Sequence, residues 1–108
     1  MSYKVKSISA FERQAKRLIK KCHSLQKELL SLVQDLKENR ERGTSLGNNC
    51  YKIRLSISSK GKGKSGGARI ITNIVIADEI VYLLSIYDKS EQGDISNKEL
   101  QELLKEVP

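Results

Sequence analysis

Tyr51-Lys52-Ile53-Arg54-Leu55-Ser56-Ile57-Ser58-Ser59 alternates apolar and polar residues. A strand of that pattern puts Tyr51, Ile53, Leu55 and Ile57 on one face and Lys52, Arg54, Ser56 and Ser58 on the other. Ala68-Arg69-Ile70-Ile71-Thr72-Asn73-Ile74-Val75-Ile76 is apolar and β-branched enough for a buried strand. Between the two lies Lys60-Gly61-Lys62-Gly63-Lys64-Ser65-Gly66-Gly67, a glycine-rich loop with three lysines. No Asp or Glu occurs from Arg42 to Ala77, whereas Lys52, Arg54, Lys60, Lys62, Lys64 and Arg69 all fall there. A stiff sheet with that much uncompensated positive charge suits an anionic partner, and a phosphate backbone fits best.

Working outward, strands are predicted at about 50–58, 68–77 and 79–87, the last two joined as a hairpin through Asp78-Glu79. Ile80-Val81-Tyr82-Leu83-Leu84 is apolar on both faces and reads as a central strand. Before this block, Tyr3-Lys4-Val5-Lys6 alternates as a short strand. Ser9 to Glu12 has the spacing of a capping box for a helix with Phe11, Ala15, Leu18, Ile19 and Cys22 inward. His23-Ser24 breaks that helix, and Ser24 caps a second one with Leu25, Leu29, Leu32, Val33 and Leu36 inward. Residues 39–49 read as a loop. At the far end Ser96-Asn97-Lys98-Glu99 is a second capping box, opening a helix with Leu100, Leu103, Leu104 and Val107 on one side. The expected fold is a single α+β domain over residues 1–108. A helical hairpin packs on a small, largely antiparallel sheet in the order β-α-α-β-β-β-α, with the helices on one side.

The chain has 108 residues and a formal net charge of +7, with a pI near 9.5. Residues 1–22 hold seven Lys/Arg against Glu12 alone, whereas residues 78–106 hold eight acids against Lys89, Lys98 and Lys105. Cys22 and Cys50 form no CxxC, and His23 is the one imidazole, so no transition-metal centre and no cofactor is expected. No leader-like or membrane-spanning apolar run is present in the sequence, so a cytoplasmic location with reduced thiols is expected.

Phe11-Glu12-Arg13-Gln14-Ala15-Lys16-Arg17-Leu18, Leu46-Gly47 through Arg54, Lys60 through Ile71, and Tyr87-Asp88-Lys89-Ser90-Glu91 occur in this order along the chain. Together they resemble the RelE/ParE superfamily of type II toxin–antitoxin toxins, nearest to RelE- and HigB-like members. The resemblance implies the RelE-like fold, a cognate antitoxin protein as partner, and one of two activities. One is ribosome-dependent mRNA cleavage (an mRNA interferase, with ribosome and mRNA as further partners). The other is ParE-like inhibition of DNA gyrase. Fold alone does not choose between them. A non-catalytic nucleic-acid-binding module is the third reading. The antitoxin is expected to cover the basic face or displace the C-terminal helix.

Metal-free RNA cleavage by 2′-OH attack needs a base, cations for the phosphate and an acid for the leaving oxygen. With no paired histidines, lysine, arginine and tyrosine must carry those roles, as the resemblance also implies. A cation-crowded lysine among Lys52, Lys60, Lys62 and Lys64 is the base. Arg69 clamps the phosphate through two donors, and Tyr87 donates a proton or stacks on a base. The catalytic set is therefore Arg69, Lys62, Lys64 and Tyr87, with Lys52, Arg54, Lys60 and Lys89 contacting RNA. Plainer roles stand beside these: a hairpin connection for Lys60–Gly67, a carboxylate partner for Arg69, and half-buried strand packing for Tyr87.

Overall fold

The computed structural model describes residues 2–57 and 67–108. Its sheet is built from β1 (Lys4–Ser7), β2 (Thr44–Gly47), β3 (Cys50–Leu55), β4 (Ala68–Val75) and β5 (Ile80–Asp88), in the spatial order β1-β5-β4-β3-β2. Three of the four pairings are antiparallel, and β1 runs parallel to β5 with Val5 opposite Val81. The helices are α1 (Ser9–Lys21), α2 (Leu25–Glu38) and α3 (Asn97–Leu104). A largely antiparallel sheet carrying a helical hairpin is thus what the hydrophobic periods predicted.

The helical stripes bury as their 3.6-residue spacing requires. Phe11, Ala15 and Leu18 of α1 and Leu25, Leu32 and Leu36 of α2 are in the core, as is Cys22 between them. They meet the apolar row Ile53–Ile70–Ile86, which register aligns across β3, β4 and β5 and which is at most 1 % exposed. Leu55, on the same side of the pleat as Ile53, lines a cavity with Ser24 and Leu32 of α2. The β4 sequence is buried over all but its last residue, and β5 over all but its first. That double-sided burial explains why β5 is apolar without alternation.

Four local expectations are corrected. The start of α1 is not a Ser9 capping box: Ile8 is the N-cap, without a side-chain bond, and Ser9 lies inside the helix. Glu12 instead accepts from the Ser7 hydroxyl at 2.7 Å. Ser24 does stand at the N-cap of α2, but its hydroxyl donates to the Glu28 carboxylate rather than capping an amide. Residues 44–47, read as loop, form edge strand β2, turned back by Gly47, Asn48 and Asn49 at φ of 87°, 54° and 60°. The Asn73 amide donates to the Asn48 carbonyl at 3.1 Å and holds that turn against β4. Finally, α3 does not share the face of α1 and α2. Lys52 points away from the Ile53 side of the pleat, and the segment leading into α3 meets it there.

The capping box at α3 is as read. The Ser96 hydroxyl accepts from the Glu99 amide at 3.1 Å, and the Glu99 carboxylate accepts from the Ser96 amide at 3.1 Å. The β4–β5 connection is a 3-10 turn over Ile76–Asp78 followed by Glu79 at φ 55°. Among the described residues no helix is long and apolar enough to cross a membrane.

Candidate functional site

Register across the three longest strands assembles the site. Arg54 of β3 stands opposite Arg69 of β4, and Arg69 opposite Tyr87 of β5, so the three side chains leave one face in a single row. The next row on that face is Lys52–Ile71–Ser85. Two arginines directly opposite on adjacent strands repel, a cost that an anion between them would offset. Arg69 is only 8 % exposed. Its guanidinium donates to the neighbouring Ala68 carbonyl at 3.3 Å, and among the described residues neither arginine pairs with a carboxylate. The acidic C-terminal segment therefore does not neutralise Arg69 through an ion pair.

Tyr87 is buried, and its hydroxyl lies 3.4 Å from Asp94 Oδ1. Burial raises the phenol's pKa, and the Asp94 charge adds to that, opposed by the Arg69 cation. Tyr87 thus keeps its proton through the neutral range. Lys52 Nζ approaches the same carboxylate, at 3.4 and 3.5 Å. Lys89 is exposed, one residue beyond β5, where its amide donates to the Gly67 carbonyl at 3.3 Å. The structure brings Lys52, Arg54, Arg69 and Tyr87 onto one face and sets Lys89 at its end. Lys60, Lys62 and Lys64 lie outside the described residues.

Two acids of the segment between β5 and α3 also make ion pairs here. Glu91 bonds Arg17 of α1 at 3.0 Å and also Lys21, and Asp94 sits on Lys52 and Tyr87. No local pattern marks either residue, because the return of this segment over the sheet is a tertiary event. Among the described residues no group of three metal-ligating side chains comes together.

Gly67 delivers the chain into β4. Its φ is +100°, and a Cβ there would come 2.7 Å from the Leu55 carbonyl oxygen. A Gly67→Ala change is expected to cost about 1–3 kcal/mol by strain at a left-handed position. Because Arg69 is two residues on, binding of anions should weaken as well; denaturant titration alongside oligonucleotide binding checks both.

The charges also set a stability window. Asp35 is held below the usual carboxylate range by Asn39 and Arg42, Glu91 by Lys21 and Arg17, and Asp94 by the Ile95 amide and Lys52. Depressed carboxyls stabilise the fold above the ordinary carboxylate range, and that contribution is lost as pH falls through their folded values. Tyr87 acts in the opposite sense, its contribution lost as pH rises above the ordinary phenol value. Unfolding midpoints measured against pH should therefore be flat near neutrality, falling below about pH 4 and above about pH 10.

The molecule is thus a helical hairpin on a five-stranded sheet, with a cationic row on one sheet face. The family described as the RelE toxin of the RelE/RelB toxin–antitoxin system matches residues 4–107, and this chain belongs to that family. It is accordingly a toxin with an antitoxin as its partner. Among solved structures, an arginine double mutant of the E. coli toxin RelE in the free state is similar in fold. The TM-score is 0.61 at 18% identity, with 100% of each chain covered.

Proposed function

We propose that this protein is a ribosome-dependent mRNA endonuclease of the bacterial cytoplasm, acting as a single domain without metal or cofactor. The observation that carries this reading is the Arg54–Arg69–Tyr87 row, in which a nearly buried guanidinium has no carboxylate partner among the described residues. A scissile phosphate placed on that row would meet two guanidinium groups, each able to bind two of its oxygens. Negative charge grows on the phosphate as the 2′-oxygen attacks, so donors fixed beforehand on a sheet bind the transition state more tightly than the ground state. Tyr87, keeping its proton, supplies it to the departing 5′-oxygen or stacks on the adjoining base. Lys62 or Lys64 removes the 2′-OH proton, and Lys52, Lys60 and Lys89 track the backbone. The ribosome would present the message in a strained geometry, which the toxin then needs only to stabilise.

Cell-free translation with the purified toxin tests this. Cleaved message that appears only when ribosomes are present is expected. Intact message on translating ribosomes, with gyrase supercoiling blocked, would transfer the protein to the gyrase-poison reading. Binding of RNA with neither effect would leave a nucleic-acid-binding module.

A further inference from the structure

The segment after β5 crosses the cationic face and carries its own anion. Asp88 Oδ1 accepts from the amide and hydroxyl of Ser90 at 2.9 and 2.8 Å, turning the chain at the end of β5. Glu91 then fastens the segment to α1 through Arg17 and Lys21. The capping box at Ser96 fixes its other end. Between these two anchors Asp94 lies against Lys52 and Tyr87, two of the groups that the proposed function assigns to RNA.

We propose that residues 89–96 form a self-occluding strap, in which the Asp94 carboxylate occupies the place of an RNA phosphate on Lys52 and Tyr87 and must be displaced for RNA to bind. This rests on the RNA-cleaving reading of the site and adds a level of regulation to it. A carboxylate offers two acceptor oxygens to an ammonium and a hydroxyl, as a phosphate does. Its contacts are 3.4–3.5 Å long and its side chain is 65% exposed, so the hold is weak enough for a polyanion to break. The Ile95 amide, which donates to Asp94 Oδ1 at 2.9 Å, orients the carboxylate without help from the cations. A role as general base suits Asp94 poorly, because its carboxyl sits below the usual range and accepts a proton badly at neutral pH.

The test compares binding of a fluorescent, fully 2′-O-methylated RNA oligonucleotide, which cannot be cut, to the wild-type protein and to Asp94→Asn. Asparagine keeps an acceptor for the Ile95 amide and removes the charge. Binding about fivefold tighter is expected, the scale of one exposed ion pair. Adding Lys52→Ala should abolish that gain, and Asp78→Asn, at the opposite end of β5, should tighten binding by clearly less. In an alkaline absorbance titration the Tyr87 phenol, identified by its loss in Tyr87→Phe, should release its proton at lower pH in Asp94→Asn than in wild type. Unchanged or weaker binding, equal tightening in Asp78→Asn, or an unmoved Tyr87 titration would each overturn the strap. Because the oligonucleotide is never cleaved, failure of the nuclease reading shows separately, as uncut message on ribosomes.

Discussion

Arg69→Ala is expected to reduce mRNA cleavage on ribosomes by about a hundred- to a thousandfold while leaving the protein at least as stable as wild type. The loss follows from removing a preorganised cation from the centre of the row. The retained stability follows from the same geometry. Arg69 faces Arg54 directly, is nearly buried, and among the described residues has no carboxylate to lose. Truncating a buried charge that lacks a partner relieves repulsion and desolvation, which offsets the packing lost with its aliphatic stem. Single-turnover cleavage and thermal unfolding of the same preparation check the two halves together. A steep fall in the unfolding temperature would assign Arg69 to structure, and full cleavage would remove it from the chemistry. Arg69→Lys should recover little, since an ammonium cannot bind two phosphate oxygens in the planar manner of a guanidinium.

The adjacent residue should behave in the opposite way. Ile70→Ala is expected to cost about 3 kcal/mol and to lower the unfolding temperature by about 15 °C. Ile70 is fully buried in the Ile53–Ile70–Ile86 row beneath the helical hairpin, where loss of its side chain leaves a cavity. At a temperature where the variant is still folded, its cleavage rate should remain within a few-fold of wild type. Calorimetry and single-turnover kinetics below the transition make the comparison. Neighbours on one strand, pointing to opposite faces, would thus separate the energetics of the platform from the work done on it.

Much of that platform was legible in the sequence, for identifiable reasons. Alternation in Tyr51–Leu55 assigned Lys52 and Arg54 to one face, and the 3.6-residue stripes of α1 and α2 named their buried residues. The Ser96–Glu99 box formed because both of its bonds are local. The rest depends on partners distant in sequence. The stretch Thr44-Ser45-Leu46-Gly47 has no alternation to announce a strand; it becomes one because β3 offers a free edge. Ser9 has the right spacing for a cap but lost that position to Ile8, whose amide donates to the Leu83 carbonyl and fixes where the helix starts. The site divides in the same way. Arg69 and Tyr87 were named from residue type and resemblance, whereas their exact opposition required the register of two strand pairs. Asp94 could not be found, since nothing near it in the chain predicts that it comes back to Lys52, 42 positions earlier.

The row of Arg54, Arg69 and Tyr87 takes one residue from each of three strands, and β5, which supplies the last, also pairs with β1 from the other end of the fold. No fragment of this chain lacking residues 80–88 can hold the row together, however well its helices form. During synthesis both arginines are made before Tyr87 and before the sheet beneath them is complete. A product ended before residue 80 therefore cannot present the three side chains together, because the strand that sets Tyr87 beside Arg69 is the last of the five to be made.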